Sequence, residues 1–210
     1  MCIFNELLSS HKCLEPCRKD ILGAFDILKR VYTSGGKVLL CGNGGSAADC
    51  EHIVGELMKG FRIKRPVPED FKLKLAMVGA DGIADYIQGA LPAISLVSQN
   101  SLITAYSNDV SYEYAFAQQV YGYGKSGDAL IAISASGNAV SVLNACRVAM
   151  AIGMEVIGLT GESGGLLHDI CDVCIRVPFA DTETIQENHL PVYHSICAAL
   201  ESEFYCNSTI

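Results

Sequence analysis

The chain has 210 residues, half of them apolar, and a formal net charge of −8, enough for one domain with a sizeable core. The acidic balance argues against a broad nucleic-acid footprint, and no apolar run is long enough to span a membrane. Met1-Cys2-Ile3-Phe4-Asn5-Glu6 lacks the basic start and apolar stretch of a secretory signal, so the chain reads as cytoplasmic; a phosphorylated small molecule stays open as a ligand, because helix-start N–H groups hold phosphate even in an acidic protein.

Residues 4–34 are predicted mostly helical through Leu7, Leu8, Ile21, Leu22, Phe25, Leu28 and Val31. Pro16 kinks or splits that run, and Ser34-Gly35-Gly36 ends it. A strand over 37–41 leads into a helix from about Ser46 to Phe61. Residues 62–92 are less regular, broken by Pro66 and Pro68, with room for a short helix between Ala76 and Ala90. Strands over 92–96, 129–134, 155–159 and 173–177 then alternate with helices over 111–123, 138–153 and 183–205, and a short helix follows the loop Gly161–Gly165. Short apolar strands alternating with helices predict an α/β fold, a doubly wound five-stranded parallel sheet flanked by helices. Ligands are expected at the carboxyl ends of its strands, near a switch point. No repeat or linker divides the chain, so residues 1–210 read as one domain.

Ten cysteines suggest a disulfide set, but Cys41, Cys146, Cys174 and Cys197 lie in apolar runs where Cys behaves as a small hydrophobe. Cys171-Asp172-Val173-Cys174 has C-x-x-C spacing, yet its second Cys enters a strand-like run rather than a helix start. Cys13 and Cys17 read as one helix face.

Two loops carry the chemistry. Gly42-Asn43-Gly44-Gly45-Ser46 lacks both the dinucleotide spacing and the Lys of a Walker loop; by itself it is compatible with a tight βα turn. Ile133-Ser134-Ala135-Ser136-Gly137-Asn138 places two hydroxyls two residues apart before a helix start, where they and the free N–H groups can converge on one anion. Capping accounts for one of those serines and less well for the pair.

Together these loops resemble the sugar isomerase (SIS) domain, and the first loop with its helix resembles the phosphoheptose isomerase branch. The resemblance spans about residues 20–205, except for 66–90, which reads as an insertion. It implies a homotetramer that converts sedoheptulose 7-phosphate into D-glycero-D-manno-heptose 7-phosphate. In that reading Ser134 and Ser136 hold phosphate, Asn43, Gly44 and Ser46 face the substrate, and Asn108-Asp109 lies near the sugar. Ala135 and Ala139 stand where the family often has hydroxyls, which removes two phosphate contacts.

A ketose–aldose shift needs a base over carbon and an acid or cation on the oxygens. His52 and Glu56 share a helix face at i and i+4. Gln186 and His194, eight residues apart, are separated by about 80° around a helix axis. The resemblance implies that His52, Glu56, Gln186 and His194 bind zinc, with Gln186 also contacting substrate and with Glu56 and His194 as base and acid. Taken singly, His52 with Glu56 is compatible with a surface pair and His194 with a core histidine. Pro191 lies between Gln186 and His194, and a bend there can turn the two apart. His11 and His168 read as structural, and His189 is given no role. The 66–90 segment is compatible with a lid, a subunit contact or an inert loop. The rival reading is a non-catalytic SIS adaptor, whose known relative, a binder of the replication initiator, lacks the Glu and final His.

Overall fold

The computed structural model describes residues 2–206. The N-terminal run is split as Pro16 requires: α1 (Cys2–Ser10), a 3-10 segment over Lys12–Cys17 that contains the proline, and α2 (Arg18–Thr33). Proline has no N–H to donate, so the chain changes hydrogen-bond pattern around it. Ile21, Ala24, Ile27, Leu28 and Val31 then form the buried stripe of α2.

Five parallel strands form one sheet in the order β2-β1-β3-β4-β5: β1 (Val38–Gly42), β2 (Ala93–Ser95), β3 (Ala129–Ile133), β4 (Glu155–Thr160) and β5 (Val173–Arg176). Leu40, Ile131, Ile133, Ile157 and Leu159 pack on the side of α1, α2 and the last helix. Leu39, Cys41, Leu130, Ala132 and Val156 pack on the other. Both faces are covered, which is why the strands read as unbroken apolar runs. The order reverses at β1 and β3, paired Gly42 with Ile133, so the two loops identified in the sequence leave neighbouring strand ends. The remaining helices are α3 (Gly45–Met58), α4 (Glu69–Met77), α5 (Asn100–Asp109), α6 (Ala115–Tyr123), α7 (Val140–Ile152), α8 (Gly165–Ile170) and α9 (Thr182–Tyr205).

Two differences from the sequence reading have the same cause. In 62–92 the helix is α4, followed by a 3-10 turn at Asp81–Asp85, and no element was expected where α5 forms. None of these three buries a residue, so none carries the apolar periodicity that marks a core-facing helix. The 66–90 excursion closes at its base, where the Gly89 amide donates to the Arg65 carbonyl at 2.7 Å. Among the described residues no helix is long and apolar enough to cross a membrane.

Nine cysteines are free among the described residues. A hydrogen bond with Cys146 and burial push the Cys171 thiol up, and a hydrogen bond with Cys171 and burial push Cys174 up. That is the opposite of a reactive thiol, and it agrees with a packing role for the pair.

His189 is fully buried, with Nε2 3.3 Å from the Thr160 carbonyl oxygen and Nδ1 without a partner among the described residues. Burial, only partly offset by that bond, lowers its pKa from 6.5 to about 4. The folded protein therefore holds it neutral, while the unfolded chain takes up a proton below pH 6.5. Its contribution is complete above pH 6.5 and is lost as pH falls through about 4. At 1.36 kcal/mol per pH unit, the displacement is worth about 3 kcal/mol. In urea unfolding at pH 7, 5.5 and 4, the wild type is expected to lose about that much more stability than His189→Gln. Parallel losses in the two proteins would remove His189 as the acid-sensitive group.

Candidate functional site

The loop end of the site is built at the switch point. Gly44, with φ 57°, turns β1 into α3. Gly45 is needed for a different reason. A Cβ there would lie 2.6 Å from both Nε2 and Oε1 of Gln186, so the Gln186 amide rests directly on the first turn of α3. The Asn43 amide is held at both ends: Nδ2 donates to Ser141 Oγ at 3.1 Å, and the Tyr112 hydroxyl donates to Oδ1 at 2.6 Å. Ser46 is buried, and its amide donates to the Asn43 carbonyl at 3.1 Å.

Across the switch point Ser134 is buried at the end of β3, while Ser136 is exposed and its Oγ accepts from the Asn138 amide at 3.2 Å. Gly137 has φ 68°, and a Cβ there would run into the Gly164 carbonyl. That contact locks the serine loop onto the start of α8, as does the Leu166 amide, which donates to Asn138 Oδ1 at 3.0 Å. The residue before α7 is Ala139, and no side chain caps that helix among the described residues. Neither serine is therefore consumed as an α7 cap, and the first N–H groups of α7 remain open to an anion. Asn108 and Asp109 lie exposed at the end of α5, where Asn108 Nδ2 donates to Asp109 Oδ1 at 2.9 Å.

A second group lies along the flank of α3, where α9 runs beside it. His52 Nε2 is 3.2 Å from His194 Nε2 and 3.5 Å from Glu56 Oε1. Lys59 Nζ donates to Glu56 Oε2 at 3.3 Å. Despite Pro191 within α9, Gln186 and His194 both face α3, one on Gly45 and the other on His52. The proline therefore does not turn them to opposite sides. Burial first, then the charge of His52 and of Arg62, lowers the His194 pKa against the opposing pull of Glu56. His194 borders a cleft of about 320 Å³ lined also by Arg62, Pro191 and α1 residues Ile3, Leu7 and Ser10.

The two groups are separated. His52 lies seven positions along α3 from Gly45, about 10 Å at 1.5 Å per residue. Zinc can accordingly be tested on the flank set alone. Two imidazole nitrogens and a carboxylate are chemically suited to zinc, and ligands bound at about 2.0–2.1 Å in a tetrahedron sit near the 3.2 Å separation of the histidine nitrogens. The set is open: among the described residues no group of three or more His, Cys, Asp or Glu is gathered as a metal cage, and Gln186 is seated on Gly45.

Four neighbours of the site were not anticipated from sequence: Tyr112 and Ser141 on Asn43, Tyr193 on His52, and Asp49 on Tyr193. Asp49 and His52, at i and i+3, had a readable helix-face spacing. Tyr112 had none, since only the tertiary fold brings it to a residue 69 positions away. Burial raises the Asp49 carboxyl pKa against the hydrogen bond from Tyr193, and burial followed by the Asp49 charge pushes the Tyr193 hydroxyl far above its ordinary range.

The SIS domain family model matches residues 7–161. A phosphoheptose isomerase of Burkholderia pseudomallei is 41% identical over 203 residues, covering 97% of this chain and 89% of the relative. One from Rhodospirillum rubrum is 38% identical over 188 residues, covering 90% and 88%. Among solved structures, a phosphoheptose isomerase from Neisseria gonorrhoeae superposes with a TM-score of 0.75 at 31% identity, covering 95% of each chain. One from Francisella tularensis gives 0.77 at 29% identity, covering 93% and 92%.

Proposed function

This chain belongs to the SIS domain family, in its phosphoheptose isomerase branch, and on that premise we propose that it interconverts sedoheptulose 7-phosphate and D-glycero-D-manno-heptose 7-phosphate through an enediol. The observation that carries the reading is the meeting of Glu56, His52 and His194 on the α3 flank, with His194 Nε2 3.2 Å from His52 Nε2. The separation of that group from the loop end at Gly45 supports it as well. The substrate carries its phosphate on the last carbon and its carbonyl near the first, so the two ends need two different sets of partners.

Ser134, Ser136 and the open N-terminus of α7 hold the phosphate. Asn43, Gly44, Ser46 and Gln186 face the sugar, with Asn108 and Asp109 beside it. Glu56 takes the proton from C1, and the electron pair moves through C2 to the carbonyl oxygen, which accepts a proton from His194. Glu56 then returns a proton to C2 while the C1 hydroxyl gives its proton back, leaving an aldehyde at C1. Zinc, held by His52, His194 and Glu56, would polarise the carbonyl and stabilise the enediolate. The same reading carries a homotetrameric assembly.

The test is turnover of sedoheptulose 7-phosphate by the purified protein, with and without a chelator. Turnover is expected, and it should fall on chelation and recover with zinc. An unchanged rate after chelation removes zinc and leaves the proton path. No turnover by the folded, zinc-supplied protein removes the assignment.

A further inference from the structure

The proton path does not use the hydrogen-bond chain behind His52. Tyr193 is almost fully buried, and its hydroxyl lies 3.2 Å from Asp49 Oδ1 and 3.1 Å from His52 Nδ1. A tyrosine hydroxyl has one proton, and a carboxylate only accepts. The tyrosyl proton therefore goes to Asp49, and the tyrosyl oxygen offers His52 a lone pair. His52 Nδ1 must then be the protonated nitrogen, donating to Tyr193, which leaves Nε2 with a free lone pair. Nε2 is the atom that faces His194 Nε2 at 3.2 Å and Glu56 Oε1 at 3.5 Å.

We infer that Asp49 and Tyr193 are positioning residues that fix His52 as its Nδ1–H tautomer and turn the Nε2 lone pair toward His194. Two further observations agree. The Tyr193 and His52 rings meet edge-on, with centroids 5.5 Å apart, so the imidazole is held in plane as well as by its nitrogen. Asp49 Oδ2 is buried without a partner among the described residues, a cost that Asp49 does not recover through its own hydrogen bonds. Whether the lone pair serves zinc or a proton rests on the proposed function. The tautomer does not.

Nitrogen-15 NMR of the imidazoles in the full-length, metal-free protein at neutral pH reads the tautomer directly. His52 is expected as Nδ1–H in the wild type, and Tyr193→Phe is expected to give a mixture. Zinc alone, titrated into both proteins, should bind about 10- to 100-fold more weakly to Tyr193→Phe. In turnover the variant should lose kcat with KM little changed. An Nε2–H tautomer in the wild type overturns the inference without any variant, as does a Tyr193→Phe protein whose tautomer and zinc affinity match the wild type. An Nδ1–H wild type that leaves sedoheptulose 7-phosphate untouched sinks the proposed substrate instead and leaves the relay in place.

Discussion

Glu56→Gln is expected to lower kcat for sedoheptulose 7-phosphate by about 10²- to 10⁴-fold, the usual contribution of a positioned general base. The substitution keeps the shape of the side chain and removes its charge and its ability to take a proton. Glu56 is largely enclosed, beside His52 on one side and Lys59 on the other, so no water-borne base easily replaces it. His194→Gln should fall in the same range. The double variant should be little slower than either single one, because residues acting in one proton path are strongly non-additive. Steady-state kinetics on the three variants checks this, with KM expected to change far less than kcat. Full activity in both single variants would end the acid–base assignment while leaving the fold and the phosphate loop untouched.

Arg65→Ala is expected to cost about 3–5 kcal/mol, the penalty for breaking a buried ion pair. Arg65 is completely buried, and its Nε donates to Glu201 Oε1 at 2.8 Å. Nη1 donates to the Leu57 carbonyl at 2.7 Å and Nη2 to the Glu56 carbonyl at 3.0 Å. The guanidinium thus takes up carbonyls from the last turn of α3, of which Leu57 also accepts from the Leu91 amide at 2.9 Å, and it also lies over the Tyr205 ring. Glu201 in turn accepts from the amides of Phe61 and Arg62, each at 2.7 Å. Burial raises the Glu201 pKa, but those amides and Arg65 outweigh it and leave the carboxyl below its ordinary value. Its contribution is therefore present above the ordinary carboxylate range and lost as pH falls through the lowered value. Urea unfolding of Arg65→Ala, Glu201→Ala and the double variant should show a coupling of at least about 1 kcal/mol, since contacting residues do not add. Independent, additive losses would mean that the pair does not act as a unit. Because Arg65 binds the Glu56 carbonyl, Arg65→Ala should also slow turnover when assayed well below its unfolding temperature.

Much of the fold was legible because its strands and principal helices are buried. Strands covered on both faces must be apolar throughout, and α2, α3, α7 and α9 must carry an apolar face; both patterns are written locally. The elements that were missed or misplaced, α4, α5 and the 3-10 turn at Asp81–Asp85, bury nothing and so leave no such pattern. Pro16 marked a break in sequence, and the structure shows a 3-10 segment there.

The same division applies to the site. Sequence alone determined the two loops, their place at the carboxyl ends of strands and the His52–Glu56 spacing, because a turn and a helix face are set by residues close in the chain. Only the tertiary structure decided which distant groups meet: Tyr112 on Asn43, Gln186 on Gly45, His194 on His52, and Tyr193 between Asp49 and His52. Those contacts span from 69 to 144 positions. They depend on how α9 lies along α3 and on where the sheet order reverses, which no local spacing encodes. The structure thereby divided one expected cluster into a loop end at the switch point and a flank where α9 meets α3.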